Sequence, residues 1–313
     1  MTASLSGFLK IAIFILLGLS FRKSGILNDK DIAGLKKIIL TIAIPAVLFI
    51  SFANLDFSMN FIPIILVIFG LNFILFWLGV LLYKLTGSKY RILPLLLSTF
   101  NFALIGIPLY ESIYGMENLH NYTVLGLGNE IFVWFVFYFM FRWFLTKGKT
   151  EKGINKGFIK SPIVWGIFLG CLSSILNFNI PMSENFFIKG FYETLTAASK
   201  LTTPLILIFI GYNVSVRISH IMQSAGLVLL RLVSVCAIGY ILKIMILDRF
   251  ITPTALSNAA FFLFSTLPAI FALPILAAEY ISEEETAVLN NTIVFHSIIT
   301  IILFALYSIV FTF

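Results

Sequence analysis

The sequence predicts an all-α polytopic membrane protein, with ten transmembrane helices forming two inverted five-helix repeats and with broken, crossing helices four and nine. Three observations lead there. Hydrophobic residues fill 60% of the 313 positions and charged residues only 11%, and the mean hydropathy is +1.04. A soluble domain of this size needs a charged surface that so few ionisable groups do not supply. Apolar stretches of about 18 residues or more recur along the chain, each long enough to cross a hydrocarbon core of about 30 Å as a helix. Proline-broken segments also fall at matching places in the two halves.

The first helix is expected over 6–21. Arg22 and Lys23 follow its apolar run, whereas a signal peptide carries its charge first, so the run reads as a membrane helix. Helices near 32–53, 61–83, 92–112 and 123–145 complete a first repeat, 1–145. A basic, glycine-containing cytoplasmic linker is expected over 146–161. The second repeat, 162–313, holds helices near 162–178, 192–213, 221–247, 255–279 and 286–312. The last is opened by Ser282 as N-cap, with an acidic first turn. Barrel strands would be short and alternate in polarity, which these runs do not.

Charge placement sets the orientation. Of the 21 Lys and Arg residues, fifteen fall in one set of alternate loops, four in the other, and Lys200 and Arg231 lie deeper. The positive-inside rule puts the richer set in the cytoplasm and both termini outside a plasma (inner) membrane. Short-loop placement also argues against a nucleic-acid stripe, despite the net charge of +7. Cys171 and Cys236 sit in apolar runs and read as small buried hydrophobes. No metal and no cofactor is expected.

Five helices per half require opposite insertion of the halves, the plan of many secondary transporters. Internal matches support it. IPAVLFISFAN (44–54) in helix two pairs with TPLILIFIGYN (203–213) in helix seven, and LLSTFNFALIGIPLY (96–110) in helix four pairs with LFSTLPAIFALPILA (263–277) in helix nine. Pro45 and Pro204 read as kinks, and Asn54 and Asn213 as interfacial caps.

A proline has no N–H, so the carbonyl four residues earlier loses its helical partner. Pro108 frees Leu104 beside Gly106, Pro268 frees Phe264, and Pro274 frees Ile270. In hydrocarbon such carbonyls persist only where protein or a polar cavity receives them. Half-helix N-termini made by unwinding favour anions. The expected substrate site is therefore Asn101, Gly106, Ile107 and Pro108 with Pro268, Ala272 and Pro274. Asn101 offers both a donor and an acceptor. Ordinary kinking is the structural alternative.

Three ionisable residues within the spans are candidates for a coupling or charge role, namely Glu130, Arg231 and His296. Glu130 either binds a proton or cation or sits at the external rim. Arg231 either attracts an anion or, the favoured reading, snorkels to the interface. His296 is expected as a hydrogen-bonded core histidine, with a proton relay as the alternative. Lys200 is expected to pair with Glu193, and Glu111 to be a loop-end charge.

The segments GILNDKDIAGLKKIILTIAIPAVLF (25–49), NFALIGIPL (101–109) and LPAIFALPILAAEY (267–280) resemble the auxin efflux carrier family of membrane transporters, within the bile acid/auxin carrier superfamily. Many members carry an Asn shortly after the helix-nine proline, where this chain has Ala272. The resemblance implies a homodimer in which helices one, two, six and seven form a scaffold and the other six a moving domain. It implies substrates that are organic anions, such as auxin or a dicarboxylate. The leading expectation is a carrier working by alternating access, with proton coupling, sodium coupling or no coupling all open. A sodium-coupled symporter of the bile-acid type is the nearest rival. A membrane receptor or sensor would have no inverted repeat. An enzyme would need clustered catalytic groups, which three scattered histidines do not supply.

Overall fold

The computed structural model describes residues 2–53, 61–86, 90–145, 161–176, 185–213, 220–250, 252–277 and 280–311. Asn54 and the expected linker up to residue 160 lie outside them. The elements are helical throughout: α1 (Thr2–Ser24), α2 (Asp29–Ala53), α3 (Phe61–Thr86), α4 (Leu93–Ser98), α5 (Phe102–Tyr114), α6 (His120–Phe137), α7 (Phe139–Leu145), α8 (Pro162–Ile175), α9 (Phe186–Asn213), α10 (Ile221–Phe250), α11 (Ala255–Thr266), α12 (Leu273–Ala277) and α13 (Glu283–Val310). Each helix expected from the sequence is present, the fourth as α4 and α5 and the ninth as α11 and α12. Among the described residues α2, α3, α9, α10 and α13 are long and apolar enough to cross a membrane, and α6 with α7, bent by 45°, makes a sixth. The chain is a polytopic membrane protein. Large apolar side chains such as Leu66, Trp77, Leu229 and Leu306 face outward, as a lipid solvent permits.

Helix ends follow local chemistry. Asn28 Oδ1 accepts from the Lys30 and Asp31 N–H groups at 2.9 and 3.2 Å, and Asp31 accepts from the Asn28 N–H at 2.9 Å, a reciprocal capping box. Ser282 and Glu285 repeat the device at α13, as the acidic motif predicts. Within α2 the turn Ile39–Ala43 is a π segment just before Pro45, which absorbs the missing N–H. Within α9 the helix turns at Leu201 and resumes with Pro204 in its first turn, where proline fits. At the other end of α9 Asn213 Nδ2 caps the Phe209 carbonyl at 2.8 Å.

The chain divides into two compact units. The first gathers α1, α2, α5 from Ile107 onward, α6 up to Val124, α8 and α9. Here α1 packs on α9 and α2 on α8. Gly18 and Gly211 allow the first contact, because a Cβ on Gly211 would collide with the Ile15 carbonyl. Gly166 and Gly170, one turn apart, allow the second: a Cβ there would lie 2.6 Å from the Pro45 oxygen and 2.7 Å from the Phe49 oxygen. Small residues let membrane helices approach closely in this way. Thr203 donates to Glu111 Oε2 at 2.6 Å, so Glu111 is a bonded group within α5 and not the loop-end charge expected. Lys200 and Glu193 are exposed and form no ion pair. Seven helical residues rise about 10 Å, too far for the expected bridge.

The second unit gathers α3, α4, Phe102–Gly106, the rest of α6, α7 and α10 to α13. Its core includes Phe76, Leu96, Phe132, Phe141, Leu289 and Ile293. Arg91 fastens one end, its N–H donating to Glu285 Oε1 at 2.8 Å and its guanidinium to the carbonyls of Tyr280 and Leu145 at 3.2 and 2.6 Å.

Candidate functional site

The site grows from two interruptions that share one chemistry. Helix α4 ends at Ser98, and Thr99 is extended, with φ −120° and ψ 144°. Ser98 Oγ donates back to the Pro94 carbonyl at 2.8 Å and Thr99 Oγ1 to Leu95 at 3.2 Å. These hydroxyls bond back into the last turn, as Ser and Thr do at helix ends, and leave the Leu96 and Thr99 carbonyls to another donor. The same Ser-Thr pair closes α11. Ser265 donates to Phe262 at 2.9 Å, Thr266 to Leu263 at 3.0 Å, and Leu267 is extended, with φ −66° and ψ 144°.

The breaks touch at equivalent residues. Three positions after each serine, the Asn101 N–H donates to the Pro268 carbonyl at 2.8 Å. Beside this bond Phe100 and Phe264 stack, with centroids 4.5 Å apart. Two of the expected site residues, Asn101 and Pro268, are therefore brought together, each on a different broken helix.

The carbonyls expected to be free are occupied differently. The fourth helix opens at Thr99–Asn101 and not at Pro108. There the Asn101 carbonyl accepts from both Ile105 and Gly106 N–H at 3.3 Å, making the π turn Phe102–Gly106. Pro108 is buried in the first turn of the α-helical segment Ile107–Tyr114, where its missing N–H is easily accommodated. In the ninth helix the Phe264 carbonyl is taken by the Leu267 N–H at 3.3 Å, and Ile270 by the Leu273 N–H at 3.0 Å. Pro274 is buried in the first turn of α12. Ala272 is exposed, its carbonyl receiving the Leu276 N–H at 3.0 Å; no contact brings it to Asn101.

Arg231 overturns the favoured expectation. It does not snorkel: its side chain is wholly buried in the second unit. Nε and Nη2 donate to the Leu267 carbonyl at 3.0 and 2.9 Å, Nη2 also to Thr99 at 2.7 Å, and Nη1 to Leu96. The guanidinium carbon lies 4.7 Å from the Phe100 ring centroid, a cation–π distance. One side chain thus binds the ends of both breaks. Acceptors this close were waiting for a donor that only the fold supplies.

His296 is a core histidine, 1% exposed, lying beside the Thr266 main chain. One turn on, Thr300 donates to the Thr266 carbonyl at 2.5 Å. Asn101 is likewise buried, at 3% exposure, with its Nδ2 unpartnered. A buried amide without a partner is costly and leaves a donor with unused hydrogen-bonding capacity. Glu130 accepts from Asn129 Nδ2 at 3.2 Å; the same Nδ2 approaches the Phe100 carbonyl at 3.5 Å, and Asn129 Oδ1 accepts from Asn72 at 3.1 Å. Asn72 escaped sequence reasoning, although an asparagine alone in a 26-residue apolar helix was the available signal.

Residues 4–309 match the family described as membrane transport protein. An uncharacterized transporter of Methanothermobacter thermautotrophicus is 24% identical over 226 residues, covering 70% of this chain and 71% of that protein.

Proposed function

We propose that this chain, which belongs to the membrane transport protein family, is a secondary carrier of small organic anions working by alternating access. Family membership agrees with the auxin efflux carrier resemblance carried by residues 25–49, 101–109 and 267–280. The observation that carries the proposal is the Asn101 N–H bonded to the Pro268 carbonyl, next to the buried and unpartnered Asn101 Nδ2. Main-chain breaks held against each other at membrane depth are how carriers expose polar backbone to a solute. The N-termini of the resumed segments and the Arg231 charge favour a negative solute over a positive one.

The ten-helix, inverted-repeat plan is supported by the equivalent Ser-Thr pairs and by the break-to-break bond between equivalent residues. Helices one, two, six and seven all fall in the first unit, which supports their reading as a scaffold, although that unit also takes α5 from Ile107 and α6 up to Val124. The homodimer and the moving role of the remaining helices rest on the family resemblance. Placement in a plasma membrane with both termini outside rests on the basic loops. In the site, Asn101 binds a substrate oxygen, Gly106, Ile107 and Pro108 shape one half-helix and Pro268, Ala272 and Pro274 the other.

The test is uptake into liposomes by purified protein, with malate and indole-3-acetate as probes, with and without ion gradients. Wild type is expected to accumulate at least one probe, and Asn101→Ala to insert normally but accumulate little. Equal uptake by both proteins would place the substrate elsewhere.

A further inference from the structure

The geometry points to Arg231 as a resident cation: its guanidinium fills a carbonyl cradle at the two breaks that would otherwise take an inorganic cation, so this carrier uses no sodium ion there. The inference deepens the carrier reading and rests on it for its functional meaning. Three main-chain oxygens, those of Leu96, Thr99 and Leu267, converge on one side chain from α10. Leu96 and Thr99 lie at the C-terminal end of α4, and Leu267 caps the C-terminus of α11. Both ends present unsatisfied carbonyls and the negative pole of a helix dipole. Converging carbonyl oxygens at unwound C-terminal ends are the ligand set that transport proteins offer to sodium or potassium.

Arg231 meets that set with a permanent charge and a planar fork of donors. Among the described residues no carboxylate pairs with it. All four of its hydrogen bonds go to backbone oxygens, and the Phe100 ring face supplies the remaining contact. A buried charge without a counter-ion is retained only where dipoles replace water. Here those dipoles belong to both broken helices. The positive charge is thus covalently tethered, and it holds the breaks together throughout a transport cycle.

The experiment uses purified full-length protein in detergent and reads thermal unfolding, with no transport measured, so that its outcome is separate from the carrier reading. Wild type is expected to melt at one temperature in sodium, lithium, potassium or choline chloride. A saturable rise of several degrees in sodium over choline would overturn the proposal. Arg231→Ala is expected to melt well below wild type and to regain most of the loss in millimolar guanidinium chloride, but not in choline chloride, as a ligand refilling its cradle requires. Unchanged melting of Arg231→Ala, or no regain, would overturn it. If that variant does not fold, Arg231→Lys and Arg231→Met decide. The lysine form, which keeps the charge, is expected to melt above the methionine form, and equal melting would refute a role for charge.

Discussion

Phe100 and Phe264 lie stacked with their centroids 4.5 Å apart and their planes 26° from parallel, one ring from each interruption. Both are fully buried. Stacked aromatic pairs couple by about 0.5–1.5 kcal/mol beyond their buried area. A double-mutant cycle with Phe100→Leu and Phe264→Leu is expected to return a coupling energy in that range, measured by thermal or denaturant unfolding. Strictly additive losses would show that the two breaks are held by hydrogen bonds alone.

At Asn101 the sign of charge is testable. Asn101→Asp keeps the shape but removes two donors and adds a negative charge. Anion uptake is expected to fall at least about tenfold below wild type, equivalent to about 1.4 kcal/mol. Uptake that matches wild type at equal reconstitution would remove the side chain from substrate binding.

The Thr300 hydroxyl donates to the Thr266 carbonyl, at the last turn before the second interruption. Thr300→Val keeps the volume and strands that carbonyl, a loss of about 1–3 kcal/mol. Thr300→Ser is expected to retain most of the stability. Equal melting of the valine and serine variants would mean that another donor serves Thr266.

Gly211 and Gly190 make a matched pair on α9. A Cβ at Gly211 meets the Ile15 backbone, whereas one at Gly190 meets nothing within 4 Å. Gly211→Leu is expected to abolish monodisperse folded protein on size exclusion, while Gly190→Ala elutes like wild type. A well-behaved Gly211→Leu protein would mean that α1 is not seated against α9 as described.

Helix placement was legible because hydrocarbon imposes length and apolarity on each segment. The ninth break was legible because Pro268 lies inside it. The fourth was displaced in the reading. Pro108 drew attention, but a proline in a first turn interrupts nothing, and the true opening is made by an extended Thr99 before an ordinary asparagine. Arg231 was not legible at all. An arginine in an apolar run has two destinations, and its acceptors here, Leu96, Thr99 and Leu267, lie 36 to 135 residues away. The hydroxyl pairs were visible as a repeated Ser-Thr, though their task of closing each helix appeared only with the coordinates.

Those hydroxyls carry a consequence for how the two breaks keep their shape. Ser98, Thr99, Ser265 and Thr266 bond back into the last turns of α4 and α11, while Arg231 and Thr300 reach the Leu96, Thr99, Leu267 and Thr266 carbonyls from other helices. Each interruption is therefore a fixed bend whose main chain is engaged by covalently attached groups, and not a stretch of loose chain.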